Sequence, residues 1–392
     1  MKILLVNDYG TPTGGAELMT LALRDGLRQR GIDARLFSTT ARAGGGLSQA
    51  DYACLGTVSR FRTLLQTANP WAYRSLARVL AQFRPDAVHV RIFLTQLSPL
   101  ILPLLRRIPS LYHVAWYRLI CPLGTRILPQ GLPCQTRWGL ACYRNGCLPL
   151  RDWLPLMVQM KLWQRWRASF NLVVVESLSL RDCLAAGGIG PLEVVPPGVP
   201  VRSNRPPLQL PPTVAYAGRL VPEKGVDLLL RAFAAVVRDI PEAQLLLAGD
   251  GPERPKLERL VADLDLAAHV SMAGHLPRGE ADRYLAPAWV QAIPSQWAEP
   301  FGLVAAEAMM RGTAVVATAS GGLAEIVGDG LTGVLVPPGD VQALAQALLC
   351  LLRNRDLAEE LGQAGRREAL ARFDERLSID RFSQMYRTLR RG

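Results

Sequence analysis

Apolar runs of the kind that form buried strands alternate with helical patterns along the first half of the chain. The run KILLVN near the start is followed by a glycine-rich loop and by AELMTLALRDGLRQRG, whose apolar residues recur at helical spacing. A helical stretch that ends near Phe83 interrupts four further strand-like runs: DARLFST, DAVHV, PSLYHVAW and NLVVVES. This alternation predicts βαβ units and therefore a parallel sheet.

The same alternation restarts after a proline-crowded segment at residues 194–212, which lacks periodicity and is interpreted as an interdomain linker. The strands predicted beyond it are TVAYAGRL, AQLLLAGD, VSMAGH, AWVQAIPS, AVVATA and GVLVPP. The predicted fold class is α/β, with two doubly wound, Rossmann-like domains at residues 1–198 and 199–373. A last helix, at about 374–392, is expected to pack back on the first domain. Its apolar residues recur at helical spacing: Phe382, Met385, Tyr386 and Leu389.

Ligands of open parallel sheets bind outside the carboxyl ends of the strands. We expect those ends to face each other across one cleft in a two-domain protein of this kind. The loops that follow the strands are therefore where chemistry is expected.

Composition narrows the class of protein. Of 392 residues, 49% are hydrophobic and 20% are charged, which is typical of a globular chain. No uninterrupted apolar run is long enough to span a membrane, and the N-terminal run is too short for a secretory signal. We therefore expect a cytoplasmic protein, in which stable disulfides are uncommon.

The net charge of +12 is concentrated in the first half of the chain. Residues 1–200 hold 23 Lys and Arg against 10 Asp and Glu, whereas residues 201–392 hold 22 against 23. The basic half suggests an anionic partner: a phospholipid surface, a nucleic acid or a phosphorylated substrate. No zinc-finger or RNP-type motif supports nucleic-acid binding, so a basic nucleic-acid-binding protein is kept only as an alternative.

Gly14 and Gly15 follow the first predicted strand and open a helix. Consecutive glycines let backbone N–H groups approach an anion, and a helix N-terminus adds positive potential. The spacing is not G-x-G-x-x-G, and the second strand ends in Ser38-Thr39-Thr40 rather than in an acid for a ribose, which excludes a nicotinamide-type site. The alternative is a simple strand-to-helix turn.

The segment AGRLVPEKGVDLLL at residues 217–230 places two cations, Arg219 and Lys224, in the loop after the first strand of the second domain. Two cations in such a loop suit a diphosphate. The alternative is that both side chains are simply solvated.

The segment EPFGLVAAE carries Glu299 on a loop and Glu307 two turns inside the following helix. The N–H groups of Gly302 and Leu303 would lie at the mouth of that helix, ready for a phosphate. Glu307 could accept hydrogen bonds from a diol such as ribose. A charge that complements the helix dipole would explain Glu299, but not an acid set among Ala and Met further along.

Together these segments resemble glycosyltransferase family 4, a family of retaining, nucleotide-sugar-dependent enzymes with the GT-B fold. The matching residues are Gly14-Gly15, GRLVPEKG, AGDGPE at 248–253, and PSQWAEPFGLVAAEAM with its Glu-x7-Glu pair. The resemblance implies a nucleotide-sugar donor bound mainly by the second domain, and a saccharide or lipid-linked acceptor bound by the first. A sugar-nucleotide epimerase or hydrolase on the same architecture is the alternative.

The resemblance also implies individual roles. Arg219 and Lys224 would hold the diphosphate, Glu307 the ribose hydroxyls and Glu299 the hydroxyls of the donor sugar. Gly15 would lie close to the donor. No metal would be required for catalysis, because Asp263-Leu264-Asp265, the one D-x-D, sits in a helical pattern and is interpreted as solvated helix surface.

The stretch YHVAWYRLICP departs from the family. Many relatives carry a His where this chain has Ala115, and His113 lies two residues earlier. His113 is therefore a candidate catalytic residue if the strand end is shifted locally. The alternative is a histidine packed in a strand.

Four of the seven cysteines fall close together, as in some bacterial family members: Cys121, Cys134, Cys142 and Cys147. Four thiolates suit a structural zinc ion, although no C-x2-C pair is present. The alternative is free thiols.

Residues 151–170 mix tryptophans with basic residues: Trp153, Lys161, Trp163, Arg165, Trp166 and Arg167. Such a helix could lie on the inner membrane face, which with the basic first half predicts an anionic membrane surface and a lipid-linked acceptor. The alternative is an ordinary amphipathic helix with its aromatic side chains in the core.

Overall fold

The computed structural model of the chain describes residues 1–12, 14–42 and 47–391. The chain divides into two compact units. Unit 1 comprises Met1–Gly198 and Arg376–Gly392, and unit 2 comprises Val199–Glu375.

Unit 1 is built on a seven-stranded sheet in the order β3-β2-β1-β4-β5-β6-β7, in which every pairing is parallel. Its strands are β1 (Lys2–Tyr9), β2 (Asp33–Thr39), β3 (Tyr52–Cys54), β4 (Ala87–Val90), β5 (Ser110–Val114), β6 (Leu172–Val175) and β7 (Leu192–Val194). Its α-helices are α1 (Gly15–Gln29), α2 (Arg62–Thr67), α3 (Pro70–Phe83), α4 (Leu140–Arg144), α5 (Leu150–Trp166) and α6 (Leu178–Ala186), with α14 (Glu375–Arg391) at the end of the chain.

Unit 2 is built on a six-stranded parallel sheet in the order β10-β9-β8-β11-β12-β13. Its strands are β8 (Thr213–Ala217), β9 (Gln244–Ala248), β10 (Val270–Gly274), β11 (Val290–Ile293), β12 (Ala314–Thr318) and β13 (Gly333–Val336). Its helices are α7 (Val226–Asp239), α8 (Arg254–Asp263), α9 (Arg278–Leu285), α10 (Leu303–Arg311), α11 (Leu323–Ile326), α12 (Val341–Arg353) and α13 (Arg355–Arg372). The prediction of two Rossmann-like α/β domains is confirmed.

The central strands of both sheets are mostly apolar and buried, as parallel strands covered on both faces are expected to be. All five residues of β12 are buried, and Ile3–Val6 of β1 have no exposed surface. The helices cover these sheets with one apolar face each; α7 buries Leu229, Phe233 and Val236 at helical spacing.

The proline-crowded segment predicted as a linker contains the boundary between the units, but most of it is packed on unit 2. Leu208 joins the unit 2 core, and the Trp289 indole N–H donates to the Gln209 carbonyl at 2.7 Å. Arg205 is buried and donates to the Gly312 carbonyl at 2.9 Å and to Glu359 at 2.8 Å.

The helix α14 packs on unit 1. Its residues Ile379, Phe382, Met385 and Tyr386 belong to the same buried cluster as Ile3 and Leu27. The Tyr386 hydroxyl lies 2.6 Å from Nδ1 of His89 on β4. Gly392, the last residue of the predicted helix, lies outside the described residues.

One prediction of secondary structure holds only in part. The helix α8 ends at Asp263, and Asp265 has φ +56 in the turn beyond it, so only the first carboxylate of the D-x-D lies in the helix. Both carboxylates are exposed, as expected.

Across the described ranges, no helix is both long and apolar enough to cross a membrane.

Candidate functional site

The two loops predicted to bind the donor leave neighbouring strands of unit 2. β8 and β11 pair at the point where the strand order reverses, and their carboxyl ends lead into residues 218–225 and 294–302. Gly225 has φ +65, and a Cβ there would lie 2.1 Å from the Pro294 carbonyl oxygen. Only glycine permits this approach, and reversal points of this kind are where doubly wound sheets bind ligands.

Lys224 and Glu299, one from each loop, meet in an ion pair. The Lys224 ammonium lies 2.5 Å from Oε1 of Glu299, and the Ser295 hydroxyl donates to the same oxygen at 2.6 Å. Glu299 is only 6% exposed. The ammonium also lies 5.5 Å from the centre of the Trp297 ring. A buried carboxylate and a cation are therefore held together at the carboxyl end of the sheet.

The loop after β12 fixes the backbone of Glu299. The Gly322 N–H donates to the Glu299 carbonyl at 2.8 Å, and Glu299 forms an isolated parallel bridge with Gly321. Gly321 has φ +59, and a Cβ there would lie 2.4 Å from the Glu299 carbonyl oxygen. The Thr318 hydroxyl donates to the Ser295 carbonyl at 2.7 Å. These contacts orient Glu299 before any ligand binds.

The helix α10 begins beside this pair. Gly302 is its N-cap residue, with φ +110 and no side-chain cap, and Leu303 is its first residue. The first-turn N–H groups of such a helix favour an anion, since the helix dipole is positive at this end. Gly302 and Leu303 thus have the placement predicted for a phosphate site.

Glu307 lies further along α10, where it contacts charges that the sequence analysis missed. Oε1 of Glu307 is 3.8 Å from Nη2 of Arg202, and Arg311 stands one turn further along the same helix. Arg202 and Arg311 both pair with Asp282, at 2.6 and 3.2 Å. The spacing of Glu307 and Arg311, four residues apart on one predicted helix, was the available signal.

Arg219 does not join the other candidates. Its side chain is 70% exposed, and its guanidinium lies 3.7 Å from Glu223 of the same loop. Its backbone carbonyl accepts a hydrogen bond from the Tyr216 hydroxyl at 3.0 Å, which fixes the backbone while the side chain projects outward.

In unit 1, Gly14 is the N-cap of α1 and Gly15 its first residue. Thr13, in the same predicted loop, lies outside the described residues. Glu17 stands in the first turn, and burial raises the pKa of its carboxyl, an effect that nearby Arg91 opposes.

His113 lies within β5 and is 1% exposed, so the strand end is not shifted to present it. Arg91 donates to Nδ1 of His113 at 2.7 Å and pairs with Glu176 at 2.7 Å. Burial lowers the pKa of His113 well below its ordinary value, and Arg91 and His89 lower it further. The geometry matches the packed-histidine alternative, because a neutral side chain sealed in a strand cannot reach a substrate.

The four clustered cysteines are half-buried free thiols. All seven cysteines are free thiols, and no group of three or more His, Cys, Asp or Glu within residues 1–12, 14–42 and 47–391 could hold a metal ion. The Cys134 thiol lies 3.3 Å from the Thr136 hydroxyl. Burial, and after it the neighbouring thiols of the cluster, raise the pKa of Cys142 and of Cys147, so the four cysteines lie near one another. The zinc hypothesis stays a prediction.

The helix α5 corrects the membrane hypothesis in one respect. Trp163 is fully buried, packs on Phe93 and Tyr112, and donates to the Leu119 carbonyl at 3.2 Å. It is a core residue and cannot anchor the protein to a bilayer. The exposed apolar residues of α5 are Leu150, Leu154 and Val158.

Comparison with known proteins finds a matching family model for each half of the chain. Residues 13–203 match the family model described as Glycosyltransferase Family 4, and residues 202–368 match the one described as Glycosyl transferases group 1. Over 180 residues the chain is 37% identical to a GDP-mannose-dependent alpha-(1-6)-phosphatidylinositol monomannoside mannosyltransferase of Mycolicibacterium smegmatis, covering 44% of this chain and 47% of that protein. Over 241 residues it is 32% identical to a protein of the same description from Mycobacterium tuberculosis, covering 56% and 63%. The matches thus span about half to two thirds of these relatives.

Solved structures resemble the whole chain. Sucrose-phosphate synthase from Thermosynechococcus elongatus superposes with a TM-score of 0.76 at 24% identity, covering 99% of both chains. Anabaena HepE in complex with UDP and glucose superposes with a TM-score of 0.69 at 22% identity, covering 99% of this chain and 100% of that one. At this level of identity, the likeness concerns the fold.

Two Rossmann-like units of this topology define the GT-B class of protein. One glycosyltransferase family model matches each half of the chain, and these matches support a glycosyltransferase family 4-like protein.

Proposed function

We propose that the protein is a retaining glycosyltransferase that moves a sugar from a nucleotide-sugar donor to a saccharide or lipid-linked acceptor. The observation that carries the proposal is the Lys224–Glu299 pair, held at 2.5 Å beside the N-terminus of α10. A cation and uncapped helix N–H groups suit a diphosphate, while an oriented carboxylate suits sugar hydroxyls.

In this proposal the diphosphate binds between the N-terminus of α10 and the cations of the β8 loop. Lys224 then lies between the Glu299 carboxylate and a phosphate, and the exposed Arg219 side chain swings in to complete the site. Glu299 accepts hydrogen bonds from the donor sugar, and Glu307 accepts them from the ribose.

The transfer step needs no protein nucleophile. The bond between the anomeric carbon and the diphosphate oxygen breaks, and the electron pair stays on the departing phosphate. The acceptor hydroxyl attacks the same face of the sugar and gives its proton to that phosphate, which retains the anomeric configuration. Lys224 and the α10 N–H groups stabilise the growing negative charge.

The donor class rests on the site and on the relatives. Two relatives are described as GDP-mannose-dependent, and one similar structure holds UDP and glucose. Both descriptions contain a nucleoside diphosphate, the group that the proposed site selects.

Acceptor-dependent transfer tests the proposal. Incubation with UDP- and GDP-sugars should release the nucleoside diphosphate faster when saccharide or lipid-linked acceptors are added, and NMR of the product should show the donor's anomeric configuration. Release of a free epimer without any acceptor would instead favour the epimerase or hydrolase alternative. An inverted product would contradict the retaining step.

We further propose that unit 1 visits an anionic membrane surface through one face of α2 and α5. Leu150, Leu154 and Val158 are exposed at helical spacing on α5, and Phe61 and Leu64 are exposed at α2. A hydrogen bond of 2.9 Å from Thr63 to Asp152 joins the two helices. Exposed basic residues lie on the same two segments: Arg60, Arg62, Arg151, Lys161 and Arg165. Apolar residues beside basic ones are typical of helices that bind anionic lipid.

Replacing Leu150, Leu154 and Val158 with glutamine should reduce sedimentation with anionic vesicles by about tenfold or more, because each side chain loses apolar burial in the bilayer. Nucleotide-sugar binding should not change. The control is Leu210→Gln with Leu331→Gln, which alters two leucines of unit 2 that are even more exposed, at 77% and 72%. If the unaltered protein binds anionic and neutral vesicles equally at low salt, the membrane proposal is wrong.

A further inference from the structure

Four charged side chains form a network around the C-terminal half of α10: Arg202, Asp282, Glu307 and Arg311. Arg202 lies shortly after the start of unit 2, and its Nη1 pairs with Asp282 of α9 at 2.6 Å. Asp282 also accepts from Nη1 of Arg311 at 3.2 Å. Glu307 faces this network, with Oε1 at 3.8 Å from Nη2 of Arg202. The two arginines and two acids balance in charge.

The network is anchored to the sheet as well as to the helices. Nη2 of Arg311 donates to the Gln291 side chain on β11 at 2.5 Å, and the Gln291 amide donates to the Val304 carbonyl in the first turn of α10 at 3.3 Å. Arg311 and Arg202 expose only 6% and 14% of their side chains. Charges this buried are held in one arrangement, because separating them from their partners is costly.

The contact between Arg202 and Glu307 differs from the others. At 3.8 Å it is too long for a good hydrogen bond but close enough for strong attraction. The positive charge of Arg202 therefore attracts the carboxylate and restrains its orientation. Burial lowers the pKa of Arg311, and Glu307 is the first of the charges that oppose this shift.

The network also lowers the stability of the folded state, because it buries two arginine Nε donors without hydrogen-bond partners within the described residues. Nε of Arg202 and Nε of Arg311 are buried and have no hydrogen-bond partner within the described part of the chain. An unpaired buried donor destabilises the folded state. Two arginines kept at this cost beside Glu307, on the helix whose N-terminus is the proposed phosphate site, point to a use for their charge.

We propose that Arg202, held by Asp282, is a positioning residue that fixes the Glu307 carboxylate for the ribose hydroxyls of the donor; this inference rests on the proposed function. Arg202 itself does not touch the ligand. It acts by attracting the Glu307 carboxylate and holding it in one direction, so that ribose binding does not have to order the carboxylate first.

Comparing each ribonucleoside diphosphate with its dideoxy analogue distinguishes this role from a general attraction between a cation and a diphosphate. Arg202→Met is titrated by calorimetry with UDP and GDP, and with their 2′,3′-dideoxy analogues, which lack both ribose hydroxyls. We expect about tenfold weaker binding of the ribonucleotide that the unaltered protein prefers, and less than about twofold change for its dideoxy analogue. Arg202→Lys, which keeps the charge, should recover most of the affinity. In steady-state transfer, KM for the donor should rise while kcat stays nearly constant.

Two further variants keep the test decisive if Arg202→Met folds poorly. Asp282→Asn should produce the same selective loss, because it releases Arg202. In a Glu307→Gln background, Arg202→Met should cause no additional loss of ribonucleotide affinity. The control is Arg205→Met, which removes a buried arginine of the same segment that pairs with Glu359. It should leave the ratio of ribo to dideoxy affinities unchanged.

An equal loss for both nucleotides, or no loss, would overturn this inference while leaving the proposed function intact. If the unaltered protein binds no nucleoside diphosphate, the proposed function fails and the inference fails with it.

Discussion

Lys224→Ala is expected to lower kcat by about 10²- to 10³-fold while weakening donor binding much less. The Lys224 ammonium pairs with Glu299 at 2.5 Å, which partly offsets its charge toward a ground-state diphosphate. As the bond to the diphosphate breaks, negative charge grows on the departing oxygen, and the ammonium gains most at that moment. A group that binds the transition state more tightly than the ground state affects kcat rather than KM.

The Lys224 measurement needs a stability control. Alanine removes the ion pair of the buried Glu299 carboxylate, and this loss could destabilise the folded protein. The melting temperature of the variant and its affinity for the free nucleoside diphosphate should be recorded with the kinetics. Lys256→Ala is the matched control: Lys256 is an exposed lysine of α8 in the same unit and pairs with Glu253 at 2.9 Å. A variant with raised KM and unaltered kcat would contradict the assigned role of Lys224.

Glu307→Ala is expected to weaken binding of a ribonucleoside diphosphate by about 2–3 kcal/mol, because charge-assisted hydrogen bonds to the ribose hydroxyls are lost. The same change should barely affect the 2′,3′-dideoxy analogue. Glu307 lies on α10 with Arg202 at 3.8 Å and Arg311 one turn away, and these positive charges hold the carboxylate in place.

Glu307→Gln provides the isosteric comparison, since it removes the charge but preserves the shape. We expect an intermediate loss for the ribonucleotide. The control is Glu325→Gln in α11 of the same unit, which should leave nucleotide affinity unchanged. Calorimetry that gives equal ribonucleotide affinities for Glu307→Ala and the unaltered protein would remove Glu307 from the site.

The periodic elements could be predicted because their sequence patterns are strong. The runs that form β1, β8, β9 and β12 have apolar centres and lie between helical patterns, which predicts a parallel sheet. β3 and β7 were missed because each is only three residues long, too short to show periodicity. The interpretation of residues 194–212 as a linker missed the packing of Leu208 and Arg205, because both side chains contact residues far along the chain.

Local sequence identified the parts of the candidate site that lie on loops after strands. Lys224, Glu299 and Gly302 stand within two short motifs, and their convergence follows from β8 and β11 being neighbours in a parallel sheet. Arg202, Asp282 and Arg311 could not be found this way. They come from three separate segments, and each resembles an ordinary surface charge until the fold buries it.

Aromatic and histidine residues were the least predictable. Trp163 and its neighbour Trp166 stand three residues apart in one helix, yet the first is core and the second is half-buried. The sequence around His113 did not reveal whether the strand ends before or after it; in the structure the strand continues to Val114 and seals the imidazole beside Arg91 and Phe382. Both cases depend on which element packs above the residue, which periodicity alone does not specify.

A calorimetric titration of the unaltered protein with a panel of UDP- and GDP-sugars tests the central claim most directly. The account predicts that at least one of them binds at a single site per chain, and that the double variant Lys224→Ala with Glu307→Ala abolishes this binding without unfolding the protein. Absence of binding by every member of the panel, or binding that survives the double variant, would contradict it.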